Sequence, residues 1–154
     1  MADLSFWSGR KAFLTGPGFM GGWQHVLCPL PGYLTLAERL CKRPSAYSDG
    51  WNFGPAGDDC RPISELADLL RQAWSDEAHV EEARVEVQPD SRVFEEKLLA
   101  LDSSRATQQL AWKPKWPLEA AMTRTVAWYK AFYEGGDLWA LTQAQCAEIM
   151  EDCH

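Results

Sequence analysis

The chain has 154 residues, 46% of them hydrophobic, with 8 Trp and a formal net charge of −7. That length suits one domain with a real core, and the aromatic content argues for packing rather than disorder. The acidic balance disfavours non-specific nucleic-acid binding, which relies on basic surface; no apolar run approaches a membrane span, and MADLSFWSGR lacks a signal-peptide apolar region, so a cytoplasmic protein that uses neither nucleic acid nor membrane is expected.

In chain order, residues 1–9 form a lead-in whose Phe6 and Trp7 are placed against a first apolar strand at 11–15. Gly16-Pro17-Gly18-Phe19-Met20-Gly21 follows as G-x-G-x-x-G. After a strand, such glycines allow a tight turn, close approach to a pyrophosphate, and packing of the next helix on the sheet. Gly16, Gly18 and Gly21 are therefore the candidate cofactor-binding residues. A mononucleotide half also needs an acid about 20 residues on. Only Glu38 is near that distance, inside an apparent helix. Pro17 offers no N–H to a phosphate, so a purely structural turn stands beside the cofactor reading.

Leu30, Tyr33, Leu34, Ala37 and Leu40 recur at helical spacing within 26–40, and Pro31 places the start of the regular part near itself. Residues 43–50 read as a polar linker, Trp51-Asn52-Phe53 as a short buried strand closed by Gly54-Pro55, and 56–61 as a loop. Pro62 opens a helix with Ile63, Leu66, Ala67, Leu70 and Trp74 on one side. The acidic run 76–82 is a solvated connection, followed by strands at 84–87 and 97–101. Asp102 caps a brief helix ending at Leu110, and AWKPKWP (111–117) is a stiff connector. Leu118, Ala121, Met122, Thr125, Trp128, Tyr129 and Phe132 mark a long amphipathic helix that stops at Gly135-Gly136. Thr142 with Gln145 makes a capping box for a last helix reaching Met150. The five cysteines are odd in number with no C-x-x-C pair, so free thiols rather than a metal site are expected.

These segments carry a family resemblance. Phe6-Trp7-Ser8-Gly9-Arg10-Lys11, Thr15-Gly16 and Gly18-Phe19 match an opening segment; from Trp23-Gln24-His25-Val26-Leu27 onward the matches move to a C-terminal third. There they include Gly32-Tyr33-Leu34, Leu36-Ala37-Glu38-Arg39-Leu40, Trp51-Asn52-Phe53-Gly54-Pro55, Leu101-Asp102-Ser103-Ser104-Arg105-Ala106, Trp112-Lys113-Pro114, Thr125-Val126-Ala127-Trp128-Tyr129 and Leu141-Thr142. The chain resembles the CDP-glucose 4,6-dehydratase family of extended short-chain dehydrogenases/reductases, as two pieces joined near Trp23. The resemblance implies an α/β fold: a remnant of a Rossmann-like dehydratase, with few short strands packed by several helices. Residues 1–23 would be the start of the dinucleotide-binding part and 24–154 the nucleotide-sugar-binding C-terminal part, folded together as one domain.

In that family the chemistry is NAD-assisted oxidation at the sugar 4-position, loss of water and return of the hydride, using a Tyr-x-x-x-Lys pair. Here the residues four after Tyr33, Tyr47, Tyr129 and Tyr133 are Ala37, Trp51, Tyr133 and Asp137. No catalytic residue is assigned, since hydride chemistry then lacks its proton acceptor. For the substrate, the resemblance points to His25 and Asn52; Arg61, just before a helix start, is a further anion-binding candidate. Each also has a plain structural reading: a buried histidine, an amide holding the turn before Gly54-Pro55, and a loop-pinning arginine. The family's arginine ahead of Trp-Gln-His is replaced by Gly21-Gly22. Three functions follow as expectations: a non-catalytic protein that at most binds a CDP-sugar, a lyase subunit completed by a full-length partner, or an interaction module. The aromatic face of 118–132 adds a homo-oligomer or swapped dimer.

Overall fold

The computed structural model describes residues 12–14, 18–75, 85–87 and 98–151. The expectations for Gly16, Pro17, Phe6, Trp7 and the acidic run 76–82 lie outside them. Strand β1 (Ala12–Leu14) pairs in parallel with β4 (Val85–Val87), both where the sequence places strands. A second sheet has the order β3-β2-β5, with β2 (Met20–Gly22) antiparallel to β3 (Cys60–Pro62) and parallel to β5 (Leu98–Leu99). The rest is mainly helical, so the protein is mixed α/β with short strands.

Strand β2 departs from the sequence reading. Gly21 does not open a helix; it pairs with Arg61 in an antiparallel ladder. Helix α1 (Leu30–Lys42) comes later, begun by prolines whose fixed φ and missing N–H suit a first turn. It runs into a one-turn helix α2 (Pro44–Tyr47), where a linker was expected. Trp51-Asn52-Phe53 is not a strand. Its backbone polar groups go to side chains instead: Gln24 Nε2 donates to Phe53 O at 2.7 Å, and Gly54 N donates to Ser103 Oγ at 2.7 Å. Phe53 is buried between Tyr33 and Trp112, edge-to-face with both. The apolar content was real, but its backbone partners are not a neighbouring strand.

Helix α3 (Ile63–Ser75) leaves β3 directly after Pro62 and packs on α5 (Leu118–Glu134) through Leu66, Leu118, Ala121 and Met122. The N-terminus of α5 is capped from a distance: buried Asp59 Oδ1 accepts from Leu118 N at 3.0 Å. Gly135, at φ 71°, ends α5 in the left-handed conformation glycine tolerates. Helix α4 (Ser104–Leu110) follows Asp102, whose carboxylate accepts from Ser104 N. Helix α6 (Leu138–Met150) is capped by Asp137, which accepts from Ala140 N at 2.9 Å. The expected capping box is therefore misplaced. Thr142 lies inside α6, and its hydroxyl accepts from Trp128 Nε1.

Candidate functional site

His25 is buried, 6% exposed, in the turn joining β2 to α1. Its Nδ1 accepts from Leu27 N at 3.2 Å, and its ring meets Trp116 edge-on with centroids 5.0 Å apart. Burial, then the nearby Arg124 charge, lowers its pKa below the usual 6.5. The shift favours the neutral imidazole, which lies buried against Trp116. Asn52 is exposed, and its Nδ2 donates to Asp102 O at 3.2 Å, tying the 52–55 loop to the start of α4. Arg61 is half-buried: its guanidinium pairs with Glu119 at 3.0 Å and Glu65 at 3.6 Å, while Nε donates to Asp58 O. Its carbonyl accepts from Trp23 Nε1. Each of the three makes internal contacts.

Gly18 is exposed, and an added Cβ would meet nothing within 4 Å, so no close approach demands glycine there. Gly21 is required by something else, because a Cβ would stand 2.9 Å from the Trp23 ring. No helix begins at these glycines, so no helix N-terminus is offered to a pyrophosphate. The described glycines do not fit a dinucleotide cradle. Among the described residues, no group of three or more His, Cys, Asp or Glu could hold a metal, and no helix is long and apolar enough to cross a membrane. The four described cysteines are unbridged.

A concave site exists elsewhere. One face of α1 (Pro31, Thr35, Glu38, Arg39) and the connector from Leu110 to Lys115 line a half-open cleft of about 580 Å³, a volume within the range of small-ligand sites. Cys28 and Ile149 also line it. Burial pushes the Cys28 thiol above its ordinary pKa, so it lines the wall as a neutral, largely apolar group. Ala111 holds the left-handed conformation at φ 57°, which turns the chain out of α4 and aims the connector along α1. None of His25, Asn52 or Arg61 lines this cleft. Sequence reasoning read Arg39 as part of a family match and Lys113 as part of a stiff connector. The signal it missed was two lysines flanking Pro114 opposite a helix ending in basic residues.

No family model matches the chain. CDP-glucose 4,6-dehydratase of Salmonella typhimurium is 32% identical to it over 146 residues, 95% of this chain. The chain spans only 39% of the length of that relative. The similarity thus extends over nearly the whole chain, which is a homologue of part of CDP-glucose 4,6-dehydratase.

Proposed function

We propose that this chain is a non-catalytic homologue of the dehydratase that at most holds a nucleotide-sugar. One observation carries the reading: no tyrosine in the sequence has a lysine four residues later. Without that pair there is no positioned base for hydride chemistry. The strand placement of Gly21 supports it further, because the cofactor's phosphates lose their helix N-terminus. In this reading residues 1–23 correspond to the start of the dinucleotide-binding part and 24–154 to the nucleotide-sugar-binding part. The ligand class is a CDP-sugar, and the setting is cytoplasmic. Self-association belongs to the same proposal. Phe132, Tyr133 and Trp139 are each more than half exposed, apolar surface that a second copy would cover.

The test is a thermal-shift panel with CDP, CDP-glucose and NAD, run beside a turnover assay. A ligand at a hundred times its dissociation constant adds about 2.7 kcal/mol of stability. A shift with CDP or CDP-glucose but not NAD is expected, with no turnover. Turnover by the purified chain alone would end the reading. Turnover only after mixing with the complete dehydratase would replace it with the subunit reading. Sedimentation across a concentration series tests self-association, and a monomer throughout would remove that part.

A further inference from the structure

We propose that the cleft between α1 and the 110–115 connector is a binding site for a small organic phosphate, with Arg39 and Lys113 as its anion-holding residues. The inference rests on the ligand class proposed above but not on the loss of catalysis, and it places the ligand away from His25, Asn52 and Arg61.

The distribution of committed charge carries it. The chain is acidic, with 22 Asp and Glu against 15 Lys and Arg. Nearly every cation among the described residues is already held by a carboxylate, a carbonyl, a hydroxyl or a ring. Arg39 and Lys113 are the exceptions: neither makes a hydrogen bond or ion pair through its side chain among the described residues. Both line the same cleft, one from the last turn of α1 and one from the connector. A third cation, Lys115, also lines it while donating to the Glu148 carbonyl at the end of α6. The single acid on the lining, Glu38, is paired with Lys42 and also feels the Arg39 charge, without an ion pair to it.

An acidic protein that leaves two cations uncommitted over one concavity presents a local positive field in which an anion is stabilised. The walls choose among anions. Leu110, Trp112, Pro114 and Ile149 give the cleft an apolar side, while Thr35 supplies a hydroxyl whose proton is used on Pro31 O and whose lone pairs remain. Bare phosphate would use only the cations. A phosphate carried on an organic body would use the cations and the apolar walls together.

The experiment is calorimetric titration of the intact chain with CDP, pyrophosphate and inorganic phosphate, on wild type and the variants Arg39→Glu, Lys113→Glu, Asn52→Ala and Arg61→Ala. The cleft cations are exposed and unpaired, so their reversal leaves the fold intact, which circular dichroism checks. CDP affinity should fall about tenfold or more in each charge reversal, the order expected when a charge-assisted hydrogen bond is lost. It should stay unchanged in Asn52→Ala and Arg61→Ala, and exceed that of pyrophosphate. Loss of CDP binding in the latter pair with retention in the reversals would overturn the cleft and favour the other neighbourhood. No heat with CDP at millimolar concentration would overturn it outright. Equal affinity for CDP and pyrophosphate would overturn the organic-phosphate assignment.

Discussion

An imidazole whose Nδ1 accepts from the Leu27 amide keeps its own proton on Nε2, and a second proton would have to displace that amide. For His25 the added charge would also enter a buried space beside Trp116 and near Arg124. The folded pKa therefore lies below 6.5, near which the unfolded chain titrates. Between those two values the unfolded chain binds more protons than the folded one. Stability is fully present above 6.5, declines as pH falls toward the folded value, and then levels. Urea midpoints measured from about one unit above 6.5 downward should show that decline. A His25→Asn variant keeps an oxygen within reach of the Leu27 amide but cannot titrate, so its profile should be flatter than the wild type's over the same interval. Parallel profiles would show that His25 is not the group responsible. The same geometry gives His25 a structural part in the core.

At the scale of elements, helix α1 lies close to the 51–55 loop and the connector because residue 32 has no side chain. A Cβ at Gly32 would stand 2.4 Å from the Phe53 ring and 2.8 Å from the Trp112 ring. Alanine would gain up to about 1 kcal/mol of helix propensity. Displacing two interlocked rings costs roughly 1–3 kcal/mol. Gly32→Ala should therefore destabilise the protein by about 1–2 kcal/mol in chemical denaturation, the overlap outweighing the propensity. Gly50→Ala, where a Cβ meets nothing within 4 Å, should change stability by less than about 0.5 kcal/mol. An unchanged or higher midpoint for the Gly32 variant would mean that α1 can move away from the rings. This balance is also a measure of what the sequence could tell. Helices α1, α3 and α5 were legible because apolar spacing and prolines or glycines at their ends act within one segment, and α4 from its Asp102 cap, although Leu30, Tyr33 and Leu34 of the spacing read for α1 lie exposed. Strand β2 was not, because its partners are Arg61, 40 positions away, and Leu99, further still. Nor was the cap of α6: Asp137 and Thr142 both precede residues that fit a cap, and only the Trp128 hydrogen bond to Thr142 decides between them. The cleft cations were invisible for a related reason, since whether a charge is committed depends on side chains remote in sequence.

Among the described residues, most buried apolar side chains fall into three clusters, and the chain from Trp112 to Leu118 enters each in turn. Trp112 belongs with Tyr47, Phe53, Ala106 and Leu110; Trp116 with Leu27, Cys28 and Ile149; Leu118 with Leu66, Ala121 and Met122. Two prolines, Pro114 and Pro117, stiffen the intervals between those anchors. The segment from Trp23 to Gly32 runs through the same clusters: Trp23 packs on the third, Cys28 sits in the second, and Gly32 abuts the rings of the first. Clusters tied by two stiff segments cannot open one at a time without disturbing their neighbours, so unfolding should be cooperative. Trp116 is the middle anchor, stacked under the Arg124 guanidinium at 4.4 Å and edge-on to His25. Removing it should cost about 3–5 kcal/mol, a large share of a domain's usual 5–15. Trp116→Phe is more informative. The Trp116 indole N–H is buried with no hydrogen-bond partner among the described residues, which costs roughly 1–3 kcal/mol. Phenylalanine loses some packing volume but also that unmet donor, so the two effects oppose each other. Near- and far-ultraviolet circular dichroism melts should coincide for wild type and both variants, with Trp116→Ala lowered strongly and Trp116→Phe by less than about 1 kcal/mol. If the near-ultraviolet melt instead preceded the far-ultraviolet one in Trp116→Ala, the middle cluster would be opening alone, and the connector would be a chain of separate contacts rather than the spine that couples them.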